Sequence, residues 1–181
     1  ADLLESLGAE VIALPAIELA PVHANGLFHQ TLDRIGQFDW VFFTSPEGIR
    51  WFQRMLRPQR LDLRILHGRH IGAIGPKTAA SIQEVGIHVD FAPATFSQEG
   101  MLGGLSRRRL AGKRALILSA QEGRDVLERG LKHRGMEVVR VPIYRTLVPA
   151  ALTKQVKQVF AGRVDWVTVT SSSCVEHLAQ A

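Results

Sequence analysis

The segment Asp39-Trp40-Val41-Phe42-Phe43-Thr44-Ser45 contains an apolar run that stops at small polar residues and is followed at once by Pro46. A short apolar run bounded by turn formers is typical of a strand buried on both faces. Pro46 suits the first turn of a helix, where its missing N–H would have no partner, and Ser45 suits the N-cap before it. The segment therefore predicts a buried strand that leads directly into a helix.

Further strands and helices alternate along the chain. Apolar runs predict strands at 70–74, 89–91, 114–118 and 138–144, and a helical stretch precedes each of them. One helix is expected to open with Thr95 or Ser97 as its cap, and another to run over about 125–133. Strands that alternate with helices favour a parallel, doubly wound sheet, so the sequence predicts the α/β class.

Two sequence patterns recur at nearly the same spacing. Segment 39–45 matches Asp165-Trp166-Val167-Thr168-Val169-Thr170-Ser171, an offset of 165 − 39 = 126 residues. Leu7-Gly8-Ala9-Glu10-Val11 matches Arg134-Gly135-Met136-Glu137-Val138, an offset of 135 − 8 = 127 residues. Two matches at one spacing predict two similar α/β units, each running helix, Gly turn, strand, connection and a further strand that ends in Thr-Ser.

The repeat also predicts how the domains are arranged. Residues 16–148 form one domain inserted into another, which consists of 1–15 and 149–181, with strand-like crossings near 15–21 and 141–148. A second copy of Gly75-Pro76-Lys77-Thr78 would begin near position 75 + 126 = 201. We therefore expect the discontinuous domain to be incomplete at both ends in the printed sequence.

Composition limits the function classes. The chain has 181 residues, of which 46% are hydrophobic and 22% charged, which excludes a disordered protein. No apolar run approaches the roughly 20 residues of a membrane span. The single cysteine and the lack of a signal segment predict a cytoplasmic protein without an internal disulfide. The net charge of +5 permits an anionic partner, but no aromatic residues interleave with the basic run 107–109, which argues against nucleic acid.

Metal and nucleotide sites are not predicted. The seven histidines are dispersed without ligand spacing, and His67 and His70 are interpreted as surface residues. The glycines near residue 72 lack the third member of a dinucleotide fingerprint, and neither a Walker loop nor a nucleophile elbow is present. Cys174 is interpreted as a small packing residue rather than a nucleophile.

Polar turns follow several predicted strands. They are Thr44-Ser45-Pro46, Gly75-Pro76-Lys77-Thr78, 119–123 and Thr170-Ser171-Ser172-Ser173. In an open parallel sheet such turns lie at the carboxyl edge, where ligands bind, and helix N-termini favour anions. Plain capping is the open alternative, with Ser45 as one cap and Ser173 with Glu176 as a capping box. Several such turns facing a cleft between two domains would suit a ligand with many carboxylates or phosphates.

Three further side chains are candidates at this edge. Tyr144, the only tyrosine, ends the fifth predicted strand and could donate a proton or a hydrogen bond to a ligand. A half-buried strand aromatic is the alternative. Lys77 and Arg124 could pair with an anion, or they could be exposed cations at helix starts.

Five motifs in this order resemble the uroporphyrinogen-III synthase family. They are 39–48 (DWVFFTSPEG), 74–79 (IGPKTA), 96–100 (FSQEG), 141–146 (VPIYRT) and 168–173 (TVTSSS). The resemblance implies two similar flavodoxin-like domains joined by a two-stranded connector. It also implies a monomeric, cytoplasmic lyase of porphyrin and heme biosynthesis that cyclises hydroxymethylbilane, a linear tetrapyrrole octacarboxylate, to uroporphyrinogen III with loss of water and inversion of ring D. It implies no metal or organic cofactor, no nucleic acid and no membrane partner, and leaves contacts with neighbouring pathway enzymes open.

The resemblance also assigns residues to the site. Tyr144 matches the tyrosine that assists loss of the hydroxyl, and Thr78 matches a threonine that lines the cleft. The predicted substrate-binding set is Thr44, Ser45, Gly75, Lys77, Thr78, Ser97, Ser171 and Ser172. A two-lobed, non-catalytic α/β protein that closes on a small polyanion stays open as the alternative function.

Overall fold

A five-stranded sheet is present in the computed structural model, which describes residues 1–22, 26–106 and 108–181. The strands are β1 (Glu18–Pro21), β2 (Trp40–Phe43), β3 (His70–Ala73), β4 (Arg114–Ala120) and β5 (Glu137–Leu147). Their order is β1-β5-β4-β2-β3, and the β2–β3, β2–β4 and β4–β5 ladders are parallel. The predicted α/β class with a parallel sheet is confirmed.

Helices connect the strands. They are α1 (Asp2–Ser6), α2 (Gly26–Asp33), α3 (Pro46–Leu56), α4 (Pro76–Glu84), α5 (Gln98–Gly104), α6 (Val126–His133), α7 (Leu152–Phe160) and α8 (Ser172–Gln180). Short 3₁₀ turns occur at Ile35–Gln37, Arg57–Gln59 and Leu63–Leu66. Across 1–22, 26–106 and 108–181, no helix has the length and apolar character needed to cross a membrane.

The chain divides into two compact units. One consists of Ala1–Ala20 and Thr146–Ala181, and the other of Pro21–Arg145. The second unit contains β2, β3, β4 and most of β5, together with α2 to α6. The first contains α1, α7 and α8.

Strand β2 lies at the centre of the larger unit because all four of its residues are apolar and it has a neighbour on each side. Trp40 pairs in register with His70 of β3 and Ala115 of β4. All four β2 side chains are buried, as the sequence predicts. The pairing of Phe42 with Gly72 requires glycine, since a Cβ on Gly72 would lie 2.3 Å from the Phe42 ring.

Serine caps start two of the helices that follow the strands. Ser45 Oγ accepts the Gly48 N–H at 3.1 Å with Pro46 in the first turn of α3, which confirms the predicted cap. Ser97 rather than Thr95 caps α5, accepting the Gly100 N–H at 3.0 Å. Each cap satisfies one of the N–H groups that a helix start leaves without an intrahelical partner.

The predicted strand at 89–91 is wrong. Among the residues that the structure describes, this segment forms a single bridge, between Gly72 and Phe91. The carboxylate of Asp90 accepts the Ile71 N–H at 2.7 Å, so a side chain takes a donor that a regular ladder would use. The segment is therefore a contact on the edge of β3 and not a sixth strand.

Three predictions in the smaller unit are also wrong. Residues 166–169, the copy of β2, form no strand, and Val11 and the three residues after it form none either. A strand needs partners for its N–H and C=O groups, and among the described residues these two segments have no strand beside them. Helix α8 is capped by Ser171, which accepts the Cys174 N–H at 3.2 Å, and not by a Ser173–Glu176 capping box.

Candidate functional site

A hydrogen bond between two predicted site residues joins the turn after β2 to a residue of β5. The Tyr144 hydroxyl lies 2.9 Å from Ser45 Oγ, and either oxygen can donate. Ser45 Oγ also accepts the Gly48 N–H, so the phenol is linked through one serine to the N-terminus of α3. Tyr144 is 7% exposed. The structure thus brings together the predicted catalytic residue and one predicted substrate-binding residue, 99 positions apart.

An irregularity in the sheet orients Tyr144. Ser119 pairs with Pro142, but the next residue, Ala120, pairs with Tyr144, so β5 carries one extra residue at this point. Pro142 has no N–H to give to the ladder, which is why prolines in sheets occur at such bulges. A one-residue shift moves a side chain to the other face of a strand, so the bulge sets the face that Tyr144 occupies.

The environment of Tyr144 keeps its phenol protonated. Burial raises the pKa of Tyr144 above its ordinary value of 10.0, and the negative charges of Glu47 and Glu122 raise that pKa further. The hydrogen bond with Ser45 acts in the opposite direction and lowers the pKa, but by less than burial raises it. At neutral pH the group is therefore a proton donor and not a base.

Other predicted polar residues lie where β2 and β4 end. The Thr44 hydroxyl donates to the Leu118 carbonyl at 3.4 Å, and the Thr44 N–H donates to the same oxygen. Ser119 is buried and its Oγ donates to the Ala120 carbonyl at 3.0 Å. In chain order β2 is followed by β3 on one side of the sheet and by β4 on the other. This is the switch point at which open parallel sheets bind ligands.

Three predicted site residues, Gly75, Lys77 and Thr78, lie at the start of α4 and differ in their exposure to solvent. Gly75 is the N-cap, and a Cβ on it would lie 3.3 Å from Phe96 Cβ, next to the Ser97 cap of α5. Lys77 is exposed, whereas Thr78 is only 3% exposed. Of these side chains, Lys77 is the one open to solvent and therefore available to an anionic ligand.

Ser171 and Ser172 belong to the smaller unit. Both are exposed, with Ser171 as the cap of α8 and Ser172 as its first residue. Ser171 Oγ also lies 3.2 Å from Cys174 Sγ, so this cysteine is engaged with the cap.

The remaining candidates have local partners or lie on the surface. Arg124 pairs with Glu99 at 2.7 Å, and both side chains are exposed. His67 and His70 are exposed, as predicted. In the part of the chain that the structure describes, no three His, Cys, Asp or Glu side chains converge to hold a metal ion.

The structure describes two of the three arginines in the basic run 107–109. Arg107 lies outside the described residues, whereas Arg108 places its guanidinium over the rings of Trp40 and Phe91, 5.2 and 5.5 Å from their centroids. Arg108 therefore covers the larger unit's own aromatic side chains.

Sequence reasoning missed Arg140. Its guanidinium lies at the end of β4 and donates to Ser119 Oγ, to the carbonyl of Ala120, which ends β4, and to the carbonyls of Gln121 and Gly123 in the following loop. The signal in the sequence was one charged residue in the middle of the predicted strand 138–144, four positions before Tyr144. That pattern does not reveal which carbonyls it would meet.

Comparison with known proteins identifies relatives over the whole chain. The sequence profile of the family described as "Uroporphyrinogen-III synthase HemD" matches residues 1–181. The porphyrin biosynthesis protein HemD of Ruminiclostridium josui is 32% identical over 176 residues, which cover 97% of this chain and 35% of that protein. The uroporphyrinogen-III synthase of Escherichia coli is 28% identical over 177 residues, which cover 97% of this chain and 71% of that enzyme.

The solved structures agree with this result at the level of the fold. A mutant uroporphyrinogen III synthase from Thermus thermophilus superposes with a TM-score of 0.70 at 22% identity, over 99% of this chain and 70% of that one. The chain thus spans about a third of the Ruminiclostridium protein and about seven tenths of the Escherichia and Thermus proteins.

Proposed function

Because the chain belongs to the uroporphyrinogen-III synthase family, we propose that it converts hydroxymethylbilane to uroporphyrinogen III, losing water and inverting ring D. It acts as a lyase of tetrapyrrole and heme biosynthesis. The observation that carries the proposal is the buried Tyr144 hydroxyl bonded to Ser45 Oγ at the carboxyl edge of the sheet.

The proposed chemistry begins with loss of the substrate's hydroxyl group. Tyr144 gives its proton to that oxygen as the C–O bond breaks, so water leaves with the bonding electron pair. The cation that results passes its pyrrole N–H proton to the Tyr144 oxygen, which restores the phenol and leaves an electrophilic azafulvene. The substituted α-carbon of ring D attacks this azafulvene to form a spirocyclic intermediate, and the bond from that carbon to the methylene bridge of ring C then breaks. The free α-carbon of ring D bonds to that methylene and loses its proton, which restores the pyrrole N–H, so the ring closes with ring D inverted. The raised pKa of Tyr144 fits an acid that holds its proton until the hydroxyl departs.

Positioning is the larger proposed contribution. Free bilane closes without inversion, so the protein must hold the chain in a shape that favours the inverted product. Thr44, Ser45, Gly75, Lys77, Thr78, Ser97, Ser171 and Ser172 are the proposed contacts to the substrate. The helix starts at Ser45, Gly75 and Ser97 and the net charge of +5 suit a polycarboxylate.

The proposed architecture has two flavodoxin-like domains, 16–148 and 1–15 with 149–181, joined by a two-stranded connector. The division into two compact units supports this proposal. So does the order β3-β2-β4-β5 in the larger unit, which reads 2-1-3-4 in chain order, as in a flavodoxin-like sheet. A cytoplasmic monomer, with or without contacts to neighbouring pathway enzymes, stays a prediction.

The test is to add the chain to enzymatically generated hydroxymethylbilane and to separate the product isomers. We expect an excess of the III isomer, whereas the reaction without the chain gives the uninverted isomer. Absence of any excess would contradict the proposal. Binding of the bilane without conversion would instead favour a polyanion-binding protein.

A variant separates the two proposed roles. We expect Tyr144→Phe to lower the rate roughly a hundred-fold, within the range of general acid catalysis, while the III isomer persists. Arg64→Gln, which removes an exposed arginine that pairs with its neighbour Asp62, serves as the control and should leave the rate unchanged. A switch of Tyr144→Phe to the uninverted isomer would show that the phenol folds the substrate and does not merely protonate it.

A further inference from the structure

Arg140 extends from β5 into the loop between β4 and α6, residues 121–125. Its Nε donates to Ser119 Oγ at 3.0 Å. Its Nη2 donates to the carbonyls of Ala120, Gln121 and Gly123 at 3.0, 3.2 and 2.7 Å. A guanidinium presents its donors in a rigid fork, so it can hold several acceptors in one fixed arrangement.

The loop closes tightly around this guanidinium. A Cβ added to Gly123 would lie 3.3 Å from Arg140 Nη2 and 3.1 Å from the Ala120 carbonyl oxygen, closer than ordinary van der Waals contact. Ser119, which accepts from Arg140, is only 3% exposed. Hydrogen bonds from a charged donor are stronger than neutral ones, so these carbonyls are held firmly.

The same loop contacts Tyr144. The Gln121 N–H donates to the Tyr144 carbonyl at 2.8 Å, directly after the bulge that orients the phenol. Glu122 of this loop is one of the two carboxylates that raise the pKa of Tyr144. The other groups that face the phenol, Ser45 and Glu47, come from the start of α3. One side of the Tyr144 environment is therefore the loop that Arg140 holds.

We infer that Arg140 is a positioning residue: its guanidinium holds the 121–125 loop against β5 at Tyr144 and thereby fixes the place of the phenol. Its effect on the reaction rests on the proposed function, whereas its effect on the loop and on the phenol does not. A purely structural arginine would change stability without changing the surroundings of Tyr144, so the two roles predict different measurements.

The experiment compares Arg140→Ala and Arg140→Lys with Arg134→Ala. Arg134 also donates to a backbone carbonyl, that of Leu102 at 2.6 Å, but away from the loop, so its variant is the matched control. Ring-labelled tyrosine gives a single NMR signal from Tyr144, the only tyrosine, and its change with pH measures the pKa. Hydrogen exchange of the Gln121 amide measures how firmly the loop is held.

We expect Arg140→Ala to lower the pKa of Tyr144 towards its ordinary value. A loop that is no longer held would let water reach the phenol and would let the Glu122 carboxylate move away from it. The Gln121 amide should exchange at least ten-fold faster. Arg140→Lys keeps the charge but not the fork, so both changes should be smaller and in the same direction. The control should match the wild type in both measurements.

The kinetic readout then adds the catalytic consequence. With hydroxymethylbilane, Arg140→Ala should lower kcat about ten- to a hundred-fold while KM changes little, the pattern of a misplaced acid. An unchanged Tyr144 signal and unchanged Gln121 exchange in Arg140→Ala would overturn the inference. Should that variant fail to fold, wild-type behaviour of Arg140→Lys in both measurements would overturn it. Neither measurement needs substrate, so failure of the proposed function would not affect them.

Discussion

Segments 39–45 and 165–171 share five of seven residues but have different structures. The first contains a central strand whose Trp40 is 4% exposed. The second has no strand, and the equivalent Trp166 is 89% exposed. In both segments the last residue is a serine that caps the following helix. Ser45 Oγ accepts the Gly48 N–H, and Ser171 Oγ accepts the Cys174 N–H.

The difference separates local from non-local determinants. A serine cap needs only the three residues that follow it, so both copies form one. A strand needs partners, and among the described residues β2 has them, in β3 and β4, whereas segment 165–171 does not. Apolar pattern therefore predicts the capacity to form a strand, while neighbouring strands decide whether it forms.

The largest expected difference lies between the two tryptophans. Trp40 stacks on Phe42 at 5.3 Å between ring centroids and is buried, so Trp40→Ala should lower the free energy of unfolding by about 3–5 kcal/mol. Trp166→Ala should change it by less than about 0.5 kcal/mol, because an exposed side chain loses little burial. Urea unfolding followed by circular dichroism measures both. Equal losses would mean that segment 165–171 is buried in solution.

A second substitution tests the partner strand rather than the segment. Gly72 of β3 lies opposite Phe42, and a methyl there would meet the buried ring at 2.3 Å. We expect Gly72→Ala to cost about 3 kcal/mol in the free energy of unfolding through overpacking. Gly162 lies just before segment 165–171, and a Cβ added there would be 3.7 Å from its nearest neighbour, the Val159 carbonyl oxygen. Gly162→Ala should therefore cost less than about 0.5 kcal/mol. A neutral Gly72→Ala would show that the strand contact is loose.

These differences also explain which features could be predicted from sequence. Strand β2 and the Ser45 cap follow from local pattern, and the α/β class follows from alternation. The Tyr144–Ser45 bond joins residues far apart in sequence and depends on the bulge at Pro142, which local pattern does not specify. Arg140 was missed for the same reason, since its acceptors are carbonyls of another segment.

The stability losses of Ser45→Ala and Ser171→Ala should differ less than those of Trp40→Ala and Trp166→Ala. Ser45→Ala removes the α3 cap and the hydrogen-bond partner of the buried Tyr144 hydroxyl, together about 2 kcal/mol of unfolding free energy. Ser171→Ala removes an exposed cap and an exposed contact with Cys174 Sγ, and should cost about 0.5–1 kcal/mol. Because the Ser45 bond lowers the pKa of Tyr144, Ser45→Ala should also raise that pKa, which the tyrosine signal would report. Equal stability losses would mean that Tyr144 and Ser45 are not coupled.

The aspartates that open the two segments give the smallest expected difference, and it depends on pH. The Asp39 carboxylate accepts hydrogen bonds from Lys113 Nζ at 2.8 Å and from the Arg114 N–H at 2.8 Å. Both bonds lower the pKa of the carboxyl below its ordinary value of 3.8, and the bond from Lys113 has the largest effect. The ionised Asp39 carboxylate therefore contributes its full stability above about pH 3.8, the pKa of the unfolded chain. This contribution is lost as the pH falls through the lower pKa of the folded state.

Asp39→Asn should cost about 1 kcal/mol at neutral pH, a value kept small because the Asp39 and Lys113 side chains are partly exposed. Asp165 pairs with Arg163, and both side chains are exposed, so Asp165→Asn should cost less than about 0.5 kcal/mol. Urea unfolding at neutral pH and below the folded-state pKa of Asp39 tests this, since the cost of Asp39→Asn should vanish at the lower pH. A cost that persisted there would show that the Asp39 side chain stabilises β2 through its shape and neutral hydrogen bonds, and not through the charge that distinguishes it from Asp165.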